Sequence, residues 1–184
     1  MGPPNTSGGT GDMFLMVKGA KHGVIKGESQ DAQHKDEIEV LGWSWGMQGK
    51  ASVGGGNATG KAAMHDLKIT KRVDSASTAL MLALRTNEPI TKAVLTLRKA
   101  GKSQLEYMKV TIEQGRVMSL VIDGGDSIGN GAGAQSETGS SGAAGELERV
   151  TFSFNKIEVE YIPQGKDGLP QGGMKFEDQW SSQQ

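Results

Sequence analysis

The sequence predicts a mainly β fold, a compact β-barrel of six to eight strands with one packed α-helix over about residues 75–87. Three observations carry this expectation. Glycine supplies 28 of the 184 residues and proline 5, a surplus that fits short strands joined by tight turns rather than collagen or stiff spacers. One segment has apolar residues at helical spacing. The other patterned segments show two-residue alternation or short apolar runs, and a closed sheet buries such strands without leaving edges. A chain of this length needs only one core. Residues 13–180 therefore read as a single domain, and residues 1–12, dominated by Gly, Pro, Ser and Thr, as a disordered tail.

Along the chain, Met13 to Val17 is an apolar run too short for a helix and suited to a strand buried on both faces. Gly19 ends it. Lys21 to Lys35 has no sustained apolar period and reads as a long exposed connection, the kind of loop that often carries function. Glu37 to Gln48 returns to strand character; Trp43 and Trp45 share one face and leave Ser44 on the other. A glycine-rich linker, Gly49 to Gly60, leads to Asp66 to Arg72, where Leu67 and Ile69 alternate with Asp66, Lys68 and Thr70.

The helix follows. Ala76, Ala79, Leu80, Ala83 and Leu84 make one apolar stripe, Asp74 or Ser75 is placed to cap its start, and Pro89 forbids continuation much past Asn87. Thr91 to Lys99, Glu106 to Glu113 and Arg116 to Ile122 then read as strands. Ala100 to Ser103 forms a hairpin turn, and Gln114 with Gly115 either turns the chain or bulges one longer strand. Gly124 to Gly145 is too poor in large apolar groups to offset the entropy of ordering it. In the last long strand, Val150 to Ile162, the apolar phase moves from Phe152 and Phe154 to Ile157, Val159 and Tyr161, which calls for a β-bulge near Asn155 or Lys156. The chain contains no internal repeat.

Composition excludes several functions. Twenty basic residues against 21 acidic ones leave a net charge of -1, so no overall field favours nucleic acid or an anionic membrane. The absence of cysteine removes disulfides, thiolate metal sites and thiol chemistry. The amino terminus lacks the basic start and apolar run of a conventional signal peptide, and no stretch approaches the ~20 apolar residues of a membrane-spanning helix. The expectation is a protein made in the cytoplasm, without membrane insertion, whose export needs another route than a cleaved signal peptide.

The chemical motifs are incomplete. Gly55 to Lys61 spells G-x-x-x-x-G-K, but Ala62 stands where a P-loop needs its metal-binding Ser or Thr, and a strand pattern follows instead of a helix. Gly125, Asp126 and Ser127 resemble the nucleophile block of GDS hydrolases, yet His22, His34 and His65 all lie upstream and no D-x-x-H stands near the carboxyl end to activate a serine. Those histidines also lack metal-binding spacing. Asn5 and Asn57 match the glycosylation sequon by chance in glycine-rich company. Alternating charges such as Glu158 and Glu160 read as a solvated or inter-subunit strand face. No catalytic residue, cofactor or metal is assigned.

The segment K-G-E-S-Q-D-A-Q-H-K-D-E-I-E-V-L-G-W-S-W-G-M, Lys26 to Met47, resembles the amino-terminal signature of the haemolysin-coregulated protein (Hcp) family of type VI secretion systems. M-F-L-M-V from Met13, D-L-K-I-T-K-R-V-D from Asp66, L-R-K-A-G from Leu97 and F-N-K-I-E-V-E-Y from Phe154 are similar to later family blocks in the same order. The resemblance implies a β-barrel flanked by one helix, homohexameric rings stacked into a tube, partnership with sheath and spike components, and carriage of small secreted effectors in the ring lumen. A phage-type tail-tube subunit would share this assembly physics. The Ala20 to Ile25 stretch and the Gly124 to Gly145 loop look longer than the family pattern, and the short polar end after Tyr161 leaves no room for a fused toxin domain.

Rings that stack into an open column need heterologous contacts, one patch against a different patch. Within the long loop, Lys26, Glu28, Gln30, Asp31, His34, Lys35 and Asp36 are the candidates for the ring-to-ring contact. Ser44, facing away from the two tryptophans, is the candidate lumen position in contact with effectors.

Overall fold

The computed structural model describes residues 11–49, 62–99, 104–124 and 146–180. It contains β1 (Met13–Gly19), β2 (Gly23–Ile25), β3 (Ile38–Ser44), β4 (Met47–Gln48), β5 (Ala63–Met64), β6 (Leu67–Arg72), α1 (Ser77–Arg85), β7 (Pro89–Arg98), β8 (Glu106–Asp123), β9 (Leu147–Ser153), β10 (Lys156–Tyr161) and β11 (Met174–Gln179). The main sheet runs β11-β10-β8-β7-β1-β3-β6-β9, and an additional β8–β9 pairing closes it on itself. Six antiparallel strands, β8, β7, β1, β3, β6 and β9, thus form a barrel, with β10 and β11 as a two-stranded wing beside β8. Among the described residues no helix is long and apolar enough to cross a membrane.

Inside the barrel the alternating residues of every strand meet: Leu15 and Val17, Ile38 and Val40, Leu67 and Ile69, Leu95 and Leu97, Val110 and Ile112, Val150 and Phe152. Each such side chain contributes about 1.5–3 kcal/mol by leaving water. Helix α1 buries Ser77, Leu80 and Ala83, and Ala76 just before it is also buried. It is shorter at both ends than the pattern suggests. Its N-cap is Ala76, with no side-chain cap; Asp74 Oδ1 accepts the Ala76 N–H at 2.9 Å, while Ser75 turns away to bond elsewhere. At the other end Asn87 takes φ 53° and stops the helix ahead of Pro89.

Closure depends on β8, the longest strand. Its first part pairs with β7 and β10 and its second with β9. Between them the buried face changes: Val110 and Ile112 point inward before the switch, Gly115 and Val117 after it. Opposite, inward residues change from Phe152 and Phe154 to Ile157. Because Glu113 pairs with Lys156 and Arg116 with Ser153, the register holds across the switch. The expected bulge near Asn155 or Lys156 is therefore a paired event: both strands insert one residue at the same level, and the β8–β9 ladder slips only beyond it, between Val117 and Ser119. Gln114 accommodates it at φ 54°, a left-handed conformation uncommon outside glycine. Gly115 lies so close to β9 that a Cβ would sit 2.3 Å from the Ser153 carbonyl oxygen.

A buried ion cluster joins β6, β9 and the start of α1. Lys71 Nζ lies 2.6 Å from Glu148 Oε2 and 2.8 Å from Asp74 Oδ1, and donates to Ser77 Oγ at 3.1 Å and the Arg72 carbonyl at 2.8 Å. Ser77 donates in turn to Glu148 at 2.5 Å. Lys71 and Glu148 are fully buried. The alternation read from Leu67 and Ile69 continues inward to Lys71, so its ammonium needs these partners to offset lost hydration.

The architecture matches the expected barrel of six to eight strands with one helix: six strands close it, and among the described residues others lie outside the pattern read from sequence. The additions are the short β2, β4 and β5 and the terminal β11. The polar appearance after Tyr161 hid β11, which pairs with β10 over six residues; Phe176 reaches Trp45 at 6.4 Å and Trp180 packs edge-on to Phe154 at 5.4 Å. Asp12 is held, its carbonyl accepting from the Arg98 amide at 2.8 Å and its carboxylate from the guanidinium at 2.9 Å. The Ala100 to Ser103 turn, the remainder of the tail, the Gly55 to Lys61 motif with most of its linker, and Ser127 with the Gly-rich run after Gly124 lie outside the described residues.

Two substitutions test this account by urea unfolding at fixed protein concentration. Lys71→Met leaves Glu148 buried without its cation and is expected to cost about 3–5 kcal/mol, with most of the loss recovered when Glu148→Leu is added. Gly115→Ala is expected to cost about 1–3 kcal/mol, because the new methyl overpacks against backbone that cannot retreat without opening the β8–β9 ladder.

Candidate assembly surfaces

The segment between β2 and β3 is a packed hairpin, not a solvated strap. Gly27 N–H donates to the Asp36 carbonyl at 2.8 Å, Ser29 N–H to Glu37 at 3.0 Å and Asp36 N–H back to Ser29 at 3.0 Å. Gly27 is required because a Cβ would sit 2.5 Å from the Glu37 carbonyl oxygen. The hairpin also leans on the chain ahead of α1: Glu28 accepts the Ser75 N–H at 2.9 Å and the Lys26 carbonyl accepts the Ser75 hydroxyl at 3.3 Å.

Its tip is anchored to the barrel by two groups. Asp31 receives the Arg98 guanidinium at 2.6 Å and accepts the amides of Gln33 and His34 at 2.9 and 3.2 Å. The Arg98 hydrogen bond is the main cause that lowers the Asp31 carboxyl from 3.8 to about 2, against the opposing effect of burial. Arg98, itself buried, is held above its ordinary value by Asp31 first and Asp12 second. His34 stacks on Phe14 with ring centroids 4.3 Å apart, and its two ring nitrogens lie 3.0 Å from Glu37 and 3.1 Å from Glu106. Burial would raise the Glu106 carboxyl, but the Lys109 ammonium at 2.6 Å and then His34 bring it below its ordinary value.

Of the seven loop residues singled out from sequence, Lys26, Glu28, Gln30 and Lys35 are exposed and Asp31 and Asp36 are partly so. Lys26 pairs with Asp36 at 3.3 Å. His34 differs from the other six: it is buried and braces the loop from within, its ring stacked on Phe14 and both ring nitrogens engaged. Sequence reasoning missed Asp12, Phe14, Arg98 and Glu106, which come from β1, β7 and β8 and their flanks to form the base. Nothing in their spacing signals the convergence. Ser44 stands apart from this cluster, six residues along β3 from Ile38, or about 20 Å at strand rise. It is exposed, while Trp43 and Trp45 pack against the core as their alternation requires.

The sign of the Asp31 shift sets a pH dependence. A carboxyl lowered in the folded state stabilises above its unfolded value and loses that contribution as pH falls through its folded value. The loop anchor is therefore intact above 3.8 and released on descending to about 2. The Gln33 and His34 amide resonances should report this with a midpoint near the folded value, and Asp31→Asn should abolish that titration step while leaving barrel resonances in place.

Residues 14–161 match the model of the family described as type VI secretion system effector, Hcp. Protein hcp1 of Pseudomonas aeruginosa is 38% identical over 166 residues, covering 88% of this chain and 90% of that protein. Among solved structures, Hcp1 from Salmonella typhimurium aligns with a TM-score of 0.68 at 27% identity, over 93% of this chain and 95% of that one. A type VI secretion system effector from Yersinia pestis aligns at 0.66 with 25% identity, over 92% and 100%. The chain belongs to the Hcp family of type VI secretion system proteins.

Proposed function

We propose that this protein is the tube subunit of a type VI secretion system. Six copies close into a ring, rings stack head to tail, and the tube leaves the cell while small effectors ride in the lumen. Its partners are itself, the sheath and spike components around and above the tube, and those effectors. The role is structural rather than catalytic. Family membership across residues 14–161 is the single observation that carries the reading.

The described geometry supports it in two ways. The 26–36 hairpin presents Lys26, Glu28, Gln30 and Lys35 outward from a base anchored by Asp31 and His34. A contact built on an already ordered loop avoids the entropy of ordering it on assembly. The candidate lumen position is also separate from the hairpin: Ser44 is exposed at the opposite end of β3, so stacking and cargo contacts do not compete for one surface.

Light scattering after size exclusion, followed by negative-stain imaging, tests both levels. The expected mass is close to six chains of 19.4 kDa each, with annular particles. Replacing Lys26 and Lys35 together by Glu should leave that mass unchanged and shorten or abolish stacked particles. A strictly monomeric wild type at high concentration would overturn the ring, and unchanged stacking in the double variant would remove the hairpin from the contact.

A further inference from the structure

Four neighbouring strands of the barrel turn one continuous face outward. The registers place Ser44, Lys68, Thr151 and Ser119 directly across from one another on β3, β6, β9 and β8. The next outward row is Gly42, Thr70, Arg149 and Val121. Hydroxyl groups thus surround two cations, Lys68 and Arg149, which stand diagonally on adjacent strands, about 7–8 Å apart at the backbone. Between them lies a shallow depression of about 230 Å³ whose side-chain wall includes Lys68, Thr70, Ser119, Arg149 and Thr151 and no carboxylate. Arg149 pairs with Asp123 at the end of β8, and Asp66 lies beyond Lys68 at the edge of the face. Trp43 of β3 and Trp45 just after it pack toward the core, so neither offers this face an aromatic platform.

From this arrangement we infer that the outward face of β3, β6, β9 and β8 is a docking surface for acidic side chains of a partner protein. Lys68 supplies charge for a carboxylate, and Arg149, paired with Asp123, adds the remaining donors of its guanidinium. The flanking hydroxyls donate or accept hydrogen bonds with little demand on partner sequence. A nucleic acid is a poorer fit, since single strands are held by tracks of cations interleaved with stacking aromatic groups. In biological terms the inference rests on the carrier reading above, with Ser44 one member of a larger surface and the cargo's acidic patch as the occupant.

The probe is a fluorescein-labelled ten-residue polyglutamate peptide, titrated by anisotropy at low salt against wild type, Lys68→Glu, Arg149→Gln, Ser44→Trp and the wing variant Lys175→Glu, with solution mass recorded for each. Wild type should bind in a salt-sensitive manner. Lys68→Glu should weaken binding about tenfold or more through like-charge repulsion; Arg149→Gln and Ser44→Trp should weaken it also, while Lys175→Glu matches wild type. No binding by wild type, equal loss in Lys175→Glu, or tighter binding of a single-stranded oligonucleotide of equal charge overturns the inference. A change of mass in Lys68→Glu would make this face a contact between copies and overturns it too. Rings without peptide binding would sink this inference alone; peptide binding with the expected variant pattern in a monomer would uphold it and sink the ring.

Discussion

The paired change of face in β8 and its partner is the constraint on which the barrel depends. A strand pleated without interruption would carry Val110 and Ile112 inward and then turn Val117 outward, leaving half the strand on the wrong side. Inserting one residue in each strand at the same level keeps the ladder in register from Glu113 to Val117 and returns both apolar sets to the core. The geometry is demanding: Gln114 is held left-handed and Gly115 approaches β9 within a distance that excludes any side chain. The result is that one strand can join β7 to β9 and also carry the β10–β11 wing.

Around that barrel, buried ions fasten the parts that hydrophobic packing does not reach. Lys71 and Glu148 tie the start of α1 to β6 and β9. Arg98 ties the chain ahead of β1 and the hairpin tip to β7. Glu88, also buried, accepts the amides of Lys21 and His22 and the His22 ring; these bonds outweigh burial and keep its carboxyl below the ordinary value. Such pairs add less net stability than apolar groups of equal volume, but breaking one leaves an uncompensated charge. They therefore act as specific fasteners, each locating one loop against one strand.

For the proposed tube subunit that division has a mechanical sense. The barrel is stiff because its strands are paired around the ring. The hairpin inherits that stiffness through His34 stacked on Phe14 and through Asp31 on Arg98. On the wing, Lys156 with Glu177 and Lys175 with Glu158 form charged rungs on one face, while Tyr161, Met174 and Phe176 leave apolar surface on the other. Surfaces of three different characters are thus carried by one rigid body, the arrangement that heterologous contacts need.

By itself the sequence determined the fold class, the single helix, the inward tryptophans with Ser44 outward, and the phase change after Phe154. All are consequences of local periodicity, which is written in neighbouring residues. Family blocks extended that legibility to family membership. What tertiary structure alone decided was which strands close the ring, that β8 switches face together with its partner, that Lys71 points inward, that β11 joins the sheet, and that His34 braces the loop from inside. Each depends on residues far apart in the chain: Lys71 and Glu148 are separated by 77 positions, His34 and Glu106 by 72. Such encounters leave no local pattern, because a charged residue reads as exposed until the strand bringing its partner is in place.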